Sequence, residues 1–197
     1  MATRFSRTRP SRASGSRDHV PGVMTKAGPR AAGSVTAVPV STRAFSTGPA
    51  GGSLDVSRLP STEANRWSRD GEPTIYLAGD PGVALAELGR HWEEQRGDVA
   101  VWSLDLTLAA AADLRDAATR AILGVPDDPR WILDQDRCHA LAAYLRSDGA
   151  HDGMIVPSAA FLDDAGRWNA VVFADLRPVD EVIRVESVAM RVTPTDR

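Results

Sequence analysis

The apolar positions of this chain fall into a few runs with distinct periods. TIYLA (residues 74–78) is β-branched and aromatic and reads as a strand opened by Pro73. VAVWSLDLTL (residues 99–108) alternates, with Val99, Val101, Ser103 and Asp105 on one side and Ala100, Trp102, Leu104 and Leu106 on the other. That period of two predicts a second strand. GMIVPSA (residues 153–159), NAVVFADLRP (residues 169–178) and VDEVIRVESVAMRVT (residues 179–193) predict further strands, and a short first one is expected near residues 42–45. Helical spacing appears in three places. After the turn GDPG (residues 79–82), Asp80 is placed as an N-cap and Pro81 as the first helical residue, with Val83, Leu85, Ala86, Leu88 and Trp92 on one face and Gly97 as the stop. Residues 109–123 read as a helix through Leu114, Ala117, Ala118, Ala121 and Ile122, and residues 131–146 as another through Ile132, Leu133, Cys138, Leu141, Ala142 and Leu145. Strands and helices in this order, with strands gathered late, favour an α+β fold with mixed sheets.

Residues 1–40 break the pattern. Up to residue 43 the chain holds seven arginines and one lysine against a single acid, Asp18, among Ser, Gly, Pro and Thr and with no apolar period. Such a segment buries too little to offset its chain entropy, so it is expected to be a disordered basic arm ahead of one domain over residues 41–197. Its composition is that of a transit peptide, yet Pro10, Pro21, Pro29 and Pro39 interrupt any long amphipathic helix. The whole chain, at net charge −3, gives no general argument for nucleic acid, and the arm has only Phe5 to interleave as a stacking residue, so nucleic acid binding is not expected. With no secretory core and no long apolar run, a cytoplasmic protein is expected.

Candidate chemistry is sparse. Glu87 and His91 stand one helical turn apart, but no second such pair completes a metal site, and none is expected. The lone cysteine, Cys138, and its neighbour His139 point apart on a helix and make no nucleophile–base pair. Ser158 lies in VPSA rather than in G-x-S-x-G, and no glycine-rich phosphate loop is present. What remains is Arg66, Tyr76, Glu87 and Ser158. A guanidinium fork suits phosphate, a phenol ring stacks, and a carboxylate on an apolar helix can bond a sugar hydroxyl and stabilise positive charge on that sugar. Together they describe a site for nicotinamide dinucleotide cleaved at its glycosidic bond, although each residue alone also fits an ordinary core or surface role.

The stretches A-N-R-W-S, I-Y-L-A, A-L-A-E, V-P-S-A and N-A-V-V-F, taken in order from about residue 43 to the C-terminus, resemble the RES domain, named for an arginine, a glutamate and a serine. The resemblance implies an ADP-ribosyltransferase-like fold in which mixed sheets with flanking helices form a cleft for NAD. It implies a toxin of a type II toxin–antitoxin pair that cleaves the nicotinamide–ribose bond, by hydrolysis or phosphorolysis, and depletes cellular NAD. A protein ADP-ribosyltransferase and a non-catalytic partner-binding module remain the alternatives. On the same ground Arg66, Glu87 and Ser158 are the catalytic candidates, and Arg43, Arg66, Tyr76, Ser158 and Asn169 the binding ones. NAD is expected as substrate without a metal, an antitoxin as partner, and a homo-oligomer as the assembly. Two departures stand out. The usual form carries two glycines where this chain has Ala64 and Asn65, and Arg69 competes with Arg66 for the arginine role, as Arg58 does with Arg43.

Overall fold

A computed structural model describes residues 34–89 and 98–193. Six strands form one mixed sheet in the order β1-β2-β5-β4-β3-β6. They are β1 (Val38–Pro49), β2 (Thr74–Ala78), β3 (Val99–Asp113), β4 (Gly153–Pro157), β5 (Trp168–Phe173) and β6 (Ile183–Val192). The helices are α1 (Pro81–Gly89), α2 (Ala117–Ile122), α3 (Gln135–Ser147) and α4 (Val179–Val182). The α+β architecture with mixed strand directions is as expected. The first strand opens at Val38, and Val35 ahead of it is buried.

The long strand β3 organises the rest. It pairs antiparallel with β1 from Val99 to Leu108 and again at Ala111, and with β6 over Val99–Leu106, while its last three residues, Ala111–Asp113, pair parallel with β4. From β4 the sheet continues through β5 to β2, both antiparallel. The circuit closes weakly, because β2 meets β1 only at Phe45 and Ala78. Two groups of strands, β1–β3–β6 and β2–β5–β4, are thus joined where the end of β3 pairs with β4 and diverge at the β1–β2 side.

Burial follows this arrangement. Ala44, Trp102, Leu104 and Leu106 on one group share a core cluster with Ile75, Leu77, Ile155 and Val172 of the other. The opposite face of β2, β4 and β5 carries Met154, Val156, Val171 and Phe173 against Leu141 and Leu145 of α3. Helix α1 places Val83 and Ala84 beside Ala78 and Val101, with Phe45 and Phe161 packed alongside.

The helix expected over residues 109–123 is corrected. Residues 109–113 continue β3, and only Ala117–Ile122 is helical. Alanine favours helix intrinsically, but this preference is weak against tertiary burial. Ala111 and Ala112 are fully buried, and the Asp152 carboxylate accepts the N–H groups of Ala109 (2.9 Å) and Ala110 (3.2 Å), where β3 changes partner. Asp116 then caps α2 by accepting from the Thr119 N–H at 2.8 Å. Gly124, at φ 66°, ends it, with the Val125 N–H donating to the Arg120 carbonyl and the Gly124 N–H to that of Ala121.

Other expectations shift in extent. The third helix begins at Gln135, and Trp131 lies in a separate 3-10 turn, Pro129–Leu133. Residues 179–182, expected as strand, form α4, and the strand near residues 42–45 is the twelve-residue β1. The expected cap of α1 is present: Asp80 Oδ1 accepts from the N–H groups of Gly82 (2.7 Å) and Val83 (3.0 Å). His91, Trp92 and the expected stop at Gly97 lie outside the described residues, as do His19 and most of the basic arm.

Candidate active site

A cavity of about 400 Å³ opens where β1 and β2 diverge. This volume lies within the roughly 300–1,000 Å³ of small-molecule sites. Phe45, Ser46 and Thr47 of β1, Tyr76, Leu77 and Ala78 of β2, and Ala84, Glu87 and Leu88 of α1 line it, with Asn65, Arg66, Trp67, Ile132, Ala159 and Asn169. Four of the candidates, Arg66, Tyr76, Glu87 and Asn169, therefore line one cavity.

Each is placed by its element. Capping by Asp80 sets the start of α1, and Val83, Ala84 and Leu88 bury its inner face. Glu87 then projects from the half-buried side, where Asn169 Nδ2 donates to its Oε1 at 3.4 Å. Asn169 enters from β5, which pairs there with Ala78 of β2 and Val156 of β4. Tyr76 comes from the middle of β2, with its hydroxyl 3.0 Å from Ser68 Oγ. Burial pushes its phenol above the ordinary tyrosine value, and the Ser68 contact opposes the shift. The Tyr76 ring packs against the core under α3, so it is a wall of the site held by hydrophobic contact.

Arg66 is half-buried, and its Nη1 donates to the Ile132 carbonyl at 2.7 Å. This charge-assisted bond fixes one edge of the planar fork and leaves the other donors for a ligand. Trp67, 3% exposed, follows it into the core and meets Trp131 edge to face at 5.9 Å. The rival, Arg69, is exposed and is not part of the lining; its N–H donates to Glu72 Oε2 at 2.7 Å.

Two candidates stand elsewhere. Arg43 bonds Glu186 at 2.7 Å and lines a separate groove with Asp105 and Arg184. The strand order allows this: β3 lies between β1 and β6, and the Arg43 side chain reaches across it to Glu186, which sits at a register shift of β6 between Val185 and Ser187. Arg58, its competitor, is exposed at the end of the 3-10 turn Val56–Arg58. Ser158 is fully buried, and its Oγ accepts from the Ala160 N–H at 3.2 Å. It shapes the turn after β4, and its neighbour Ala159 is the residue that reaches the cavity.

The lining also includes residues that sequence reasoning passed over. Ser46 and Thr47 are adjacent on β1 and so point to opposite faces; both reach the cavity because it wraps the strand edge left unpaired beyond Phe45. Asn65 lines it beside Arg66, and its Oδ1 accepts from the Arg66 N–H at 2.8 Å. Only the short polar run S-T on a half-buried strand could have pointed to the first pair. Cys138 is buried, and burial pushes its thiol up to about 12, against a smaller opposing effect of nearby Arg66. Among the described residues no group of three or more metal-ligating side chains is gathered, and no helix is long and apolar enough to cross a membrane.

Comparison with known proteins agrees with this picture. No curated protein matches the sequence. A solved structure, the toxin–antitoxin complex MbcT–MbcA of M. tuberculosis, contains a chain that superposes with a TM-score of 0.59 at 19% identity, over 81% of this chain and 87% of that one. At that identity the likeness is one of fold. The RES domain profile matches residues 39–193, and the chain belongs to the RES domain family.

Proposed function

We propose that this protein is a RES toxin that cleaves the nicotinamide–ribose bond of NAD and is held in check by an antitoxin protein. The observation that carries the reading is the convergence of Arg66, Tyr76, Glu87 and Asn169 on one cavity from four separate parts of the chain. A cation with open donors, an aromatic wall, and a carboxylate aligned by an amide are the groups this chemistry requires. Family membership supports the reading, and so does the fold shared with a chain of a toxin–antitoxin complex.

In the proposed reaction the bond between the ribose C1′ and the pyridinium nitrogen breaks. Its electron pair goes to the ring nitrogen, so a cationic ring leaves as neutral nicotinamide. The ribose becomes oxocarbenium-like, and Glu87 stabilises that charge while accepting a hydrogen bond from a ribose hydroxyl. Asn169 holds the Glu87 carboxylate in place. Arg66 binds the pyrophosphate, and the Tyr76 ring forms a wall against the nicotinamide ribose. Water or phosphate attacks C1′ and loses a proton as the new C–O bond forms. The cleft between the diverging strands takes the role that the nucleotide cleft plays in ADP-ribosyltransferase-like folds.

The test is to incubate purified protein, free of antitoxin, with NAD and follow nicotinamide release with and without inorganic phosphate. Release in both conditions names water as acceptor, and release only with phosphate names phosphorolysis. Transfer of label from NAD onto added protein, without free ADP-ribose, would instead favour the protein ADP-ribosyltransferase reading. A folded protein that releases nothing would overturn the enzymatic reading and leave the partner-binding module.

A further inference from the structure

The loop that carries Arg66 is gripped from α3. His139 Nε2 lies 2.6 Å from the Asn65 carbonyl oxygen. A carbonyl only accepts, so the ring nitrogen facing it carries the proton. Gln135, one turn earlier on the same face of α3, brings its Nε2 to 3.5 Å from that oxygen. The side chain of Asn65 in turn accepts from the Arg66 N–H at 2.8 Å. The far end of Arg66 is tied to the same region, because its Nη1 donates to the Ile132 carbonyl at 2.7 Å. That carbonyl also receives the Cys138 thiol proton at 3.3 Å, from the residue next to His139. The backbone beside Arg66 is therefore held by α3, and its guanidinium by the 3-10 turn that leads into α3.

We infer that His139 is a positioning residue, which sets Arg66 for its ligand by holding the Asn65 carbonyl to α3. This rests on the proposed function and adds to it a residue that does not line the cavity. The bonded Asn65 carbonyl and the Asn65 side chain fix the arginine in advance. The arrangement lowers the ordering cost that binding would otherwise carry.

The test compares wild type, His139→Leu and His139→Gln, since glutamine offers an N–H donor of similar reach and leucine offers none. With NAD as substrate, His139→Leu should raise KM about five- to tenfold with kcat within about threefold, and His139→Gln should return KM most of the way. Melting midpoints of both variants separate this from a general loss of stability. A second readout needs no turnover: the 15Nε signal of Arg66, assigned by its loss in Arg66→Lys. It should move in His139→Leu and return in His139→Gln. If wild type releases no nicotinamide, the proposed function fails while the Arg66 signal still decides the positioning role. An Arg66 signal and a KM unchanged in His139→Leu, or equal losses in both variants, would overturn the inference.

Discussion

Glu87 and Asn169 are 82 residues apart in sequence and meet at 3.4 Å in the cavity wall. That contact is tertiary, yet both residues were legible in the sequence, since each sits in a short motif on a recognisable element. Arg66 and Tyr76 were legible for the same reason. Arg43 and Ser158 stand outside the cavity lining, one in a cross-strand ion pair and one in a turn, and neither setting is recorded by a motif. The contact between Asn65 and His139 could not be read from the sequence, because a backbone carbonyl gripped by a distant helix has no sequence pattern. Cys138 yields a prediction at this scale. With its thiol raised to about 12, almost none is thiolate at neutral pH, so it should resist a disulfide reagent such as DTNB in the native protein and react on unfolding. Rapid native labelling of one thiol per chain would contradict the buried placement. The same shift has a sign for stability. The folded state holds the thiol proton more tightly than the unfolded chain, whose thiol titrates at the ordinary 9.0. The contribution is full below pH 9 and is lost as pH rises toward 12, so Cys138→Ala should flatten that part of an alkaline unfolding curve.

Elements were read best where period and caps agreed. In α1, Asp80 and Pro81 marked the start correctly, and the cap sets the helix that presents Glu87. Asp80→Ala should cost about 1 kcal/mol in urea unfolding and lower activity beyond what that loss explains. Unchanged stability would mean that the two N–H groups it caps find other partners. Residues 109–112 were read as helix by extending the helical spacing that runs from Leu114 to Ile122, and they belong to β3 instead. Long-range pairing of β3 with β1 and β4 decides that segment, and no local window contains it. Gly153 was likewise read only as part of a strand. In the structure, a Cβ there would overlap the carbonyl oxygen of Val171 on the neighbouring strand. Because backbone must shift to admit it, Gly153→Ala should destabilise by about 1–3 kcal/mol, measured by the urea midpoint. A neutral outcome would show that β4 and β5 can separate locally at no cost.

At the scale of the molecule, the joined and the diverging sides of the strand circuit have different uses. Along β3 the two strand groups share a buried core cluster. At the β1–β2 side a single residue pair closes the circuit, and the cavity lies there. The α+β class followed from the order of elements, but the divergence that makes room for a ligand depends on where pairing stops. Glu87 is central to the proposed chemistry as the carboxylate that stabilises the ribose cation. The most direct measurement is the rate of nicotinamide release from NAD by Glu87→Gln beside wild type, with NAD binding and fold checked in both. Removing a preorganised charge-stabilising group should lower kcat by about 10²–10³ while binding and melting temperature stay close to wild type. A Glu87→Gln protein that turns over NAD at the wild-type rate would contradict that role.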